Sequence, residues 1–283
     1  MFIIWGDFMQ FISKKFMNDE GEMFYTGIKE GQLAPSVLMP GDPARSKIIS
    51  ECFENPKFIA ERRTFCTYTG VTPITKTPIS VVSSGMGPLS VSIVEEELKH
   101  VGLKNIIRVG TGAALLRNYE PGRIIIATGC VRGDGCSYEY APPEYPAAAD
   151  PYVVKALVMA CEDYNEKPIV GLYRAHDSYY RETSTAMIST YERMKPWVDA
   201  GVKMVENESA LLFVLASRLG LRAGSICVSH TSMIEGTEYY DGPDSKKSYP
   251  WAFESGFMGK RILTCSKIAV RAVEILEELL RDL

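Results

Sequence analysis

The chain has 283 residues, of which 46% are hydrophobic and 23% are charged, and its formal net charge at pH 7 is -4. This is the composition of an ordinary globular protein that is long enough to bury a large core. The negative charge argues against nucleic acid or an anionic membrane as the main partner, so any anion site must be local.

The N-terminal segment is apolar, but Asp7 interrupts the apolar run and Lys14 and Lys15 follow it instead of preceding it. Such a run makes a poor signal peptide and is too short for a membrane span. We interpret residues 1–23 as an N-terminal extension that can be flexible. Residues 24–283 carry no linker-like stretch and are expected to form one domain.

Cysteine and histidine usage bears on compartment and on metals. The seven cysteines are scattered and contain no C-x-x-C pair, which is typical of a reduced, cytoplasmic protein. The three histidines are His100, His176 and His230, and they lie at no metal-ligand spacing. We therefore predict no metal site.

The first ligand signal in chain order lies in residues 34–49. A short strand ends at Gly41, Asp42 is a good N-cap, and Pro43 suits the first helical position. The free N–H groups of that helical turn suit an anion, and Arg45 adds positive charge. A solvated arginine on a capped helix is the alternative, and for a lone motif of this kind it is the commoner case.

The next elements have a strand–helix–strand rhythm. Residues 62–70 alternate like an exposed strand, and residues 79–84 lead through a glycine turn into a helix that includes Leu98. A buried strand is predicted from Asn105 to Val109, and the glycines that follow predict a tight turn that a ligand can approach. This rhythm indicates an α/β fold with ligands at strand ends.

Arg108 lies inside that buried strand. Burying a guanidinium without a partner is costly, so Arg108 should face a carboxylate or a bound anion. Gly110, the Thr111 hydroxyl and Gly112 follow it, which makes an oxyanion such as phosphate a fitting partner. An internal arginine–carboxylate pair fits this stretch equally well.

The middle of the chain continues with a predicted strand at 123–128 and an irregular stretch at 131–150. The tyrosines and prolines of that stretch favour an ordered wall over disorder. A helix is predicted from Pro151 to about Tyr164, followed by a strand from Ile169 to Tyr173.

The last third of the chain is predicted to hold two helices and a strand. Residues 204–216 read as a buried helix with Glu206 and Glu208 in its first turn, which by itself is ordinary matching of the helix dipole. Residues 225–229 read as a strand with His230 at its end, where α/β enzymes place reactive groups. A closing amphipathic helix is predicted over 261–283.

In this order the motifs resemble one family, the trimeric and hexameric nucleoside phosphorylases that include uridine phosphorylase and bacterial-type purine nucleoside phosphorylase. The resemblance covers roughly Phe24 to the C-terminus and is nearest to the uridine phosphorylase branch. It implies a single-domain, three-layer α/β/α fold with a central mixed, partly barrel-like sheet flanked by helices. It rests on four ordered matches, at residues 39–45, 84–90, 107–112 and 206–209.

The resemblance also implies roles for individual residues. Glu208 would accept hydrogen bonds from the ribose hydroxyls, and Arg63 would be lent across a dimer interface to the phosphate of the neighbouring subunit. The other implied phosphate residues are Gly41, Arg45, Arg108 and Thr111; the ribose residues are Tyr25, Glu206, Asn207 and Glu208; the base residues are Tyr179, Arg181 and Thr183.

Several positions depart from the family pattern. The glutamine and arginine that read uracil in relatives are missing after Tyr180, where this chain has residues 181–185. His230 stands where purine-specific relatives have a catalytic aspartate, and a histidine can donate a proton to a leaving base near neutral pH. A longer alignment would instead place Ser232 and Met233 at the asparagine and arginine positions of uridine phosphorylases.

The sequence therefore predicts a cytoplasmic phosphorylase that acts on a pyrimidine nucleoside such as uridine, with inorganic phosphate as co-substrate and no cofactor. The minimal active unit is predicted to be a homodimer, and a hexamer made of three such dimers is the alternative assembly. Alternatives are a purine nucleoside phosphorylase, a nucleosidase and a non-catalytic nucleoside-binding relative. A dinucleotide-binding oxidoreductase fits less well, because Leu115 stands where the third glycine of its fingerprint would lie.

Overall fold

The computed structural model describes residues 16–116, 120–179, 190–233 and 256–281. The strands among these residues are β1 (Ser36–Met39), β2 (Glu54–Arg62), β3 (Phe65–Val71), β4 (Pro78–Val82), β5 (Asn105–Ala114), β6 (Ile124–Gly133), β7 (Ala147–Ala148), β8 (Ile169–His176), β9 (Met204–Glu206) and β10 (Arg222–Ser232). The helices among them are α1 (Pro43–Ser50), α2 (Pro88–His100), α3 (Ser137–Tyr140), α4 (Pro151–Asp163), α5 (Thr190–Asp199), α6 (Ser209–Leu219) and α7 (Gly256–Arg281).

One mixed sheet runs through the middle of the molecule. Five strands close into a barrel in the order β5, β10, β6, β8 and β9, with β9 returning to β5. Beyond β5 the sheet continues as an open wing through β1, β4, β3 and β2, and β7 pairs with β6. This confirms the mixed, partly barrel-like sheet that the resemblance implied.

Helices cover the sheet on both sides. Helices α2 and α6 pack together over one core cluster, which includes Val94 and Leu211. Helices α4 and α7 pack over a second cluster, which includes Leu157 and Val273. The apolar stripes of these helices are thus buried against the sheet, and the predicted three-layer arrangement is confirmed.

Strand β5 changes its partner part-way along one edge. Residues 105–108 pair with β1, whereas residues 113–114 pair with β9. Residues 109–112 therefore lie where the open wing meets the barrel. Switch points of this kind are where α/β sheets bind ligands.

Two strand predictions need correction. Residues 62–70 are not one strand: β2 ends at Arg62 and β3 begins at Phe65, because Arg63 adopts a φ of 54°, which breaks an extended chain. The tight turn expected after Val109 is also wrong. Strand β5 continues to Ala114 because its ladder with the parallel strand β10 persists along its length.

The predicted helix over 204–216 is also corrected at its start. Residues 204–206 form strand β9, which pairs with both β8 and β5, and α6 begins only at Ser209. Pairing with strands distant in sequence overrides the local helical pattern here. Glu208 consequently occupies the N-cap position of α6.

Residues 131–150 form an ordered wall that is organised around Arg132. Its guanidinium donates hydrogen bonds to the carbonyl oxygens of Ser137 at 2.9 Å, Ala141 at 2.8 Å and Tyr145 at 2.8 Å. One planar cation thus satisfies backbone acceptors of a loop that includes only α3 and β7 as regular elements.

Residues 1–15 of the predicted extension lie outside the described residues. Its remainder packs on the domain: Met17 forms a β-bridge with Met23, whose side chain is buried, and the Phe16 ring lies 4.4 Å from that of His100. None of the described helices combines the length and hydropathy that a membrane span requires.

Candidate active site

The site is built around Arg108, whose guanidinium is buried in β5. Its Nε donates to Glu206 Oε2 at 2.9 Å and its Nη2 to Glu208 Oε2 at 2.5 Å. Gly110 makes room for this side chain, because a Cβ there would lie 3.1 Å from Arg108 Cζ and 2.9 Å from Cys227 Sγ. A side chain at this position would crowd both groups, so a glycine here suits the close packing of β5 and β10 around the guanidinium.

Arg108 has more donors than these two carboxylates use. Its Nη1 is buried and has no hydrogen-bond partner among the described residues. A buried N–H group without an acceptor costs roughly 1–3 kcal/mol. The internal arginine–carboxylate pair is therefore present, and a donor for a bound anion remains beside it.

The acidic pair is held by backbone as well as by charge. Glu206 accepts hydrogen bonds from the backbone N–H groups of Glu208 and Ser209, each at 3.0 Å. Burial raises the pKa of the Glu206 carboxyl, and the charge of Arg108 only partly opposes this. Burial alone would lower the pKa of the Arg108 guanidinium. The negative charges of Glu208 and Glu206 outweigh the effect of burial, so the pKa of Arg108 is raised.

The glycine turn before α2 reaches the same acidic pair. The backbone N–H of Gly87 donates to Glu208 Oε1 at 2.8 Å. Between the two glutamates, the Asn207 side chain donates to the carbonyl oxygen of His176. The fold thus joins the motif at 84–90 to the motif at 206–209, a contact that the sequence did not predict.

Helix α1 brings a second arginine to the switch point. Asp42 accepts a hydrogen bond from the N–H of Ala44 at 2.9 Å, which confirms the predicted N-cap. Arg45 Nη1 and Nη2 lie 3.4 Å and 3.5 Å from Thr111 Oγ1. Burial and the charge of Arg108 lower the pKa of Arg45, so an anion bound near both cations would relieve their repulsion.

Gly41 lies where the ends of β1 and β4 touch. A Cβ at Gly41 would be 3.1 Å from the carbonyl oxygen of Gly85, and Ser84 N–H donates to Pro40 O at 2.8 Å. A side chain at position 41 would push these two turns apart. The residues implied for phosphate from a single chain, Gly41, Arg45, Arg108 and Thr111, are thereby gathered around the switch point of β5.

Arg63 and Tyr25 lie at the surface. The Arg63 guanidinium is 5.6 Å from the centroid of the Tyr25 ring, and both side chains are exposed. The next residue, Thr64, lies against the glycine turn, because a Cβ at Gly85 would be 2.7 Å from Thr64 Oγ1. Arg63 is therefore exposed, and the residue after it lies against the glycine turn that reaches Glu208.

The residues expected at the base are only partly described. Tyr179 follows β8 and is exposed. Arg181 and Thr183 lie outside the described residues. Ser232 is buried at the end of β10, and Met233 packs on a small apolar cluster that includes Leu115.

His230 occupies a β-bulge in β10, between Ser229, which pairs with Gly112, and Thr231, which pairs with Ala113. Burial and the charge of Arg45 lower the pKa of its imidazole to about 4. The ring is therefore neutral at physiological pH. A neutral imidazole still carries one N–H donor, so the role of His230 beside the leaving base stays a prediction.

Two buried polar residues on β8 were missed by the sequence analysis. Arg174 Nη1 lies 3.2 Å from His176 Nδ1, and Arg174 Cζ lies 5.2 Å from the centroid of the Trp197 ring. The signal that identified Arg108, one arginine within a short apolar strand, is also present at Arg174. Among the described residues, no group of His, Cys, Asp and Glu side chains is arranged to hold a metal ion.

Comparison with known proteins gives a consistent set of relatives. The model of the phosphorylase superfamily matches residues 35–272. A uridine phosphorylase of Treponema pallidum (strain Nichols) is 34% identical over 239 residues, covering 82% of this chain and 92% of the relative. A guanosine phosphorylase of Halorubrum lacusprofundi is 33% identical over 227 residues, covering 79% of this chain and 88% of the relative. The crystal structure of uridine phosphorylase from Vibrio fischeri ES114 matches with a TM-score of 0.76 and 27% identity, covering 93% of this chain and 100% of that one.

Proposed function

This chain belongs to the phosphorylase superfamily, and on that premise we propose that it cleaves a nucleoside with inorganic phosphate to a free base and ribose 1-phosphate or its deoxy form. One observation carries the proposal. A buried arginine contacts two buried carboxylates and still presents an N–H group without an acceptor among the described residues. The site can thus hold an anion and a polyhydroxyl sugar side by side.

The phosphate would be held by Arg45, Arg108 and Thr111, with Gly41 allowing close approach of the backbone. Arg108 Nη1 supplies a donor, and the negative charge of a bound dianion would offset the burial and the repulsion from Arg108 that lower the pKa of Arg45. Phosphate then attacks the anomeric carbon from the side of these arginines. The bond to the base breaks, and the base leaves with the electron pair.

The ribose would be held by the acidic pair. Each Glu208 oxygen already accepts one hydrogen bond, from Gly87 or from Arg108, and each keeps a lone pair for a ribose hydroxyl. Positive charge grows on the sugar as the base leaves, and fixed carboxylates beside it stabilise that transition state electrostatically. Asn207 and Tyr25 would complete the sugar side, and Tyr179 would pack against the base.

The preferred substrate would be uridine. The relatives named uridine phosphorylase support this choice, and such an activity would serve pyrimidine salvage in the cytoplasm. The guanosine phosphorylase among the relatives keeps a purine substrate as the second candidate. We propose that phosphate is the only co-substrate and that no cofactor is needed. A nucleosidase, which uses water, would have little use for Arg45 and Arg108.

The test is release of base from uridine, thymidine, guanosine, inosine and adenosine, each with and without inorganic phosphate. We expect release from uridine that depends on phosphate and yields ribose 1-phosphate. Equal release without phosphate would identify a nucleosidase. Binding of nucleoside without release of any base would identify a non-catalytic relative.

A further inference from the structure

Tyr25 lies in a turn whose two ends are buried. We call residues 23–28 the Tyr25 turn. The N–H of Met23 donates to the carbonyl oxygen of Ile28 at 2.9 Å, and both side chains are fully enclosed. Phe24 and Tyr25, between these two ends, are exposed. The turn therefore has a fixed base and presents Tyr25 at the surface.

Helix α2 holds the backbone of the Tyr25 turn through Glu97. The Glu97 side chain is buried, its Oε1 accepts the N–H of Tyr25, and its Oε2 accepts the N–H of Thr26, each at 2.8 Å. These two donors lie 72 and 71 residues away from Glu97 in the sequence. A carboxylate accepts at both of its oxygens, whereas a glutamine side chain has only one acceptor oxygen. Glu97 therefore fixes two consecutive peptide groups at once.

Arg62, the last residue of β2, holds the same turn independently of Glu97. Its Nη1 donates to the carbonyl oxygen of Met23 at 3.2 Å, and its Nη2 pairs with Glu22. Gly27 adopts a φ of 71°, and a Cβ there would lie 2.8 Å from Arg62 Nε. The glycine thus permits the backbone conformation and leaves room for the guanidinium. The Tyr25 turn is consequently fastened to both α2 and β2.

Arg63, the next residue, contacts the side chain that the turn presents. Arg63 adopts a φ of 54° between β2 and β3, and its guanidinium lies 5.6 Å from the centroid of the Tyr25 ring. A cation at this distance from an aromatic ring is attracted to it. In phosphorolysis the phosphate attacks the ribose, so a ligand of one must lie close to a ligand of the other. The contact between Arg63 and Tyr25 meets this requirement.

We propose that Glu97 is a positioning residue, which holds Tyr25 against Arg63 so that both side chains reach the ribose and the phosphate of the site that Arg63 serves as one preassembled pair. Glu97 acts through the Tyr25 turn, because it is buried and the turn uses both of its oxygens. A turn that is ordered before the substrates bind spares the cost of ordering it during binding. The inference rests on the proposed function and adds how two of its side chains are placed.

The experiment is a double-mutant cycle between Glu97 and Tyr25, measured as kcat/KM for uridine at saturating phosphate. Glu97→Gln should lower kcat/KM by about tenfold, because one N–H of the turn loses its acceptor. The loss should appear as a higher KM for uridine and for phosphate. In Tyr25→Ala the same change should cost less than about twofold, since the side chain that Glu97 positions is gone. Glu96→Gln, the same change one residue earlier on α2, is the control and should stay within about twofold of the wild type.

An equal loss in the wild type and in Tyr25→Ala, a loss confined to kcat, or no loss in Glu97→Gln would each overturn the inference. The amide protons of Tyr25 and Thr26 give a second test on the unmodified protein. Because both are bonded to Glu97, they should exchange slowly with solvent, and exchange at the rate of an unfolded chain would overturn the inference whether or not the variants fold. A wild type that releases no base would defeat the proposed function alone, and the same cycle would then be measured as Kd for uridine in the presence of phosphate.

Discussion

The guanidinium of Arg108 pairs with the carboxylates of Glu206 and Glu208. Without this cation, burial would make the negative charges of both carboxylates unfavourable. Both partners, Glu206 and Glu208, are almost fully enclosed, and the contacts of 2.9 Å and 2.5 Å use two of its nitrogens. A buried charge is tolerated only where it is paired and hydrogen-bonded. This residue should therefore matter for stability and for activity, and the two effects can be separated.

Arg108→Met should lower the free energy of unfolding by about 3–5 kcal/mol, because it leaves two buried carboxylates without their cation. Arg108→Lys keeps the charge but loses the planar fork, so it should be closer to the wild type in stability while kcat/KM for uridine falls by about a hundredfold. Chemical denaturation and steady-state kinetics measure the two quantities. Arg218→Met, an exposed arginine at the end of α6, is the control for losing one positive charge. Wild-type kinetics in Arg108→Lys would contradict the proposed phosphate contact.

His230 should stay neutral across the physiological range. Its pKa is lowered to about 4 by burial and by Arg45, so the imidazolium form should appear only near that pH. In the unfolded chain a histidine takes up its proton near pH 6.5. The imidazole should therefore destabilise the folded state progressively as the pH falls from about 6.5 towards 4.

Proton chemical shifts of the His230 ring, followed from pH 8 to pH 5, test this directly. We expect no titration in that range in the folded protein, and His230→Gln should leave the shape of the pH–rate profile unchanged. A midpoint near 6.5 for this ring, lost together with an acidic limb of kcat in the variant, would contradict this expectation and would support a proton-donating role for His230.

At the scale of elements, the packing of α2 contains an unusual buried acid. Glu95 lies on the same buried stripe as Val91, Val94 and Leu98, and it is fully enclosed. Neither of its carboxyl oxygens has a hydrogen-bond partner among the described residues. Burial raises the pKa of Glu95 well above its ordinary value, so the carboxyl keeps its proton where an exposed one would lose it.

Glu95→Leu should therefore stabilise the protein, by about 1–3 kcal/mol at pH 7, since it replaces a buried polar group without a partner by an apolar one. Below about pH 4.5 the carboxyl is protonated in both folded and unfolded chains, so the pH-dependent part of the gain is absent. The gain should grow as the pH rises above that value, because the unfolded chain loses its proton and the folded one does not. Thermal unfolding at pH 4, 6 and 8 measures it. Glu278→Leu, on the exposed side of α7, should show no such dependence, and an equal gain at all three pH values would refute the explanation.

Much of this arrangement could be predicted from local sequence. Each of three features carries a local signal: Asp42 marks the start of a helix, Arg108 is a single arginine within an apolar strand, and the acidic pair belongs to the motif at 206–209. Strand β9 could not be predicted in this way. Its three residues become a strand only through pairing with β8 and β5, which are distant in sequence.

Side-chain environments that depend on tertiary packing also could not be predicted from the sequence. The lowered pKa of His230 comes from burial and from Arg45 on α1, neither of which is local in the sequence. The contact of Gly87 with Glu208 and that of Arg174 with His176 likewise exist only once the sheet has closed. Arg181 and Thr183 stay predictions, since they lie outside the described residues.

At the scale of the whole molecule, the position of Arg63 bears on assembly. It is exposed at the turn between β2 and β3, beside the glycine turn that reaches Glu208. Met86, in that glycine turn, and Leu89, in the first turn of α2, are also exposed. An exposed arginine next to a turn that carries exposed apolar side chains is what a shared, two-fold interface would use. We expect Arg63 to act on the phosphate of a second subunit.

Complementation between two inactive variants tests this expectation. An Arg63→Ala subunit contributes no arginine to the site of its partner, and a Glu208→Gln subunit lacks the ribose carboxylate in its own site. Each variant alone should therefore be nearly inactive. In a mixed dimer, the subunit that carries Arg63→Ala keeps Glu208 and receives Arg63 from its partner, which makes one complete site. Random pairing of equal amounts places half of the subunits in mixed dimers with one of two sites complete, so co-expression should restore about a quarter of the wild-type activity. If Arg63 acted within its own chain, every site in the mixture would lack one residue or the other, and no activity would return.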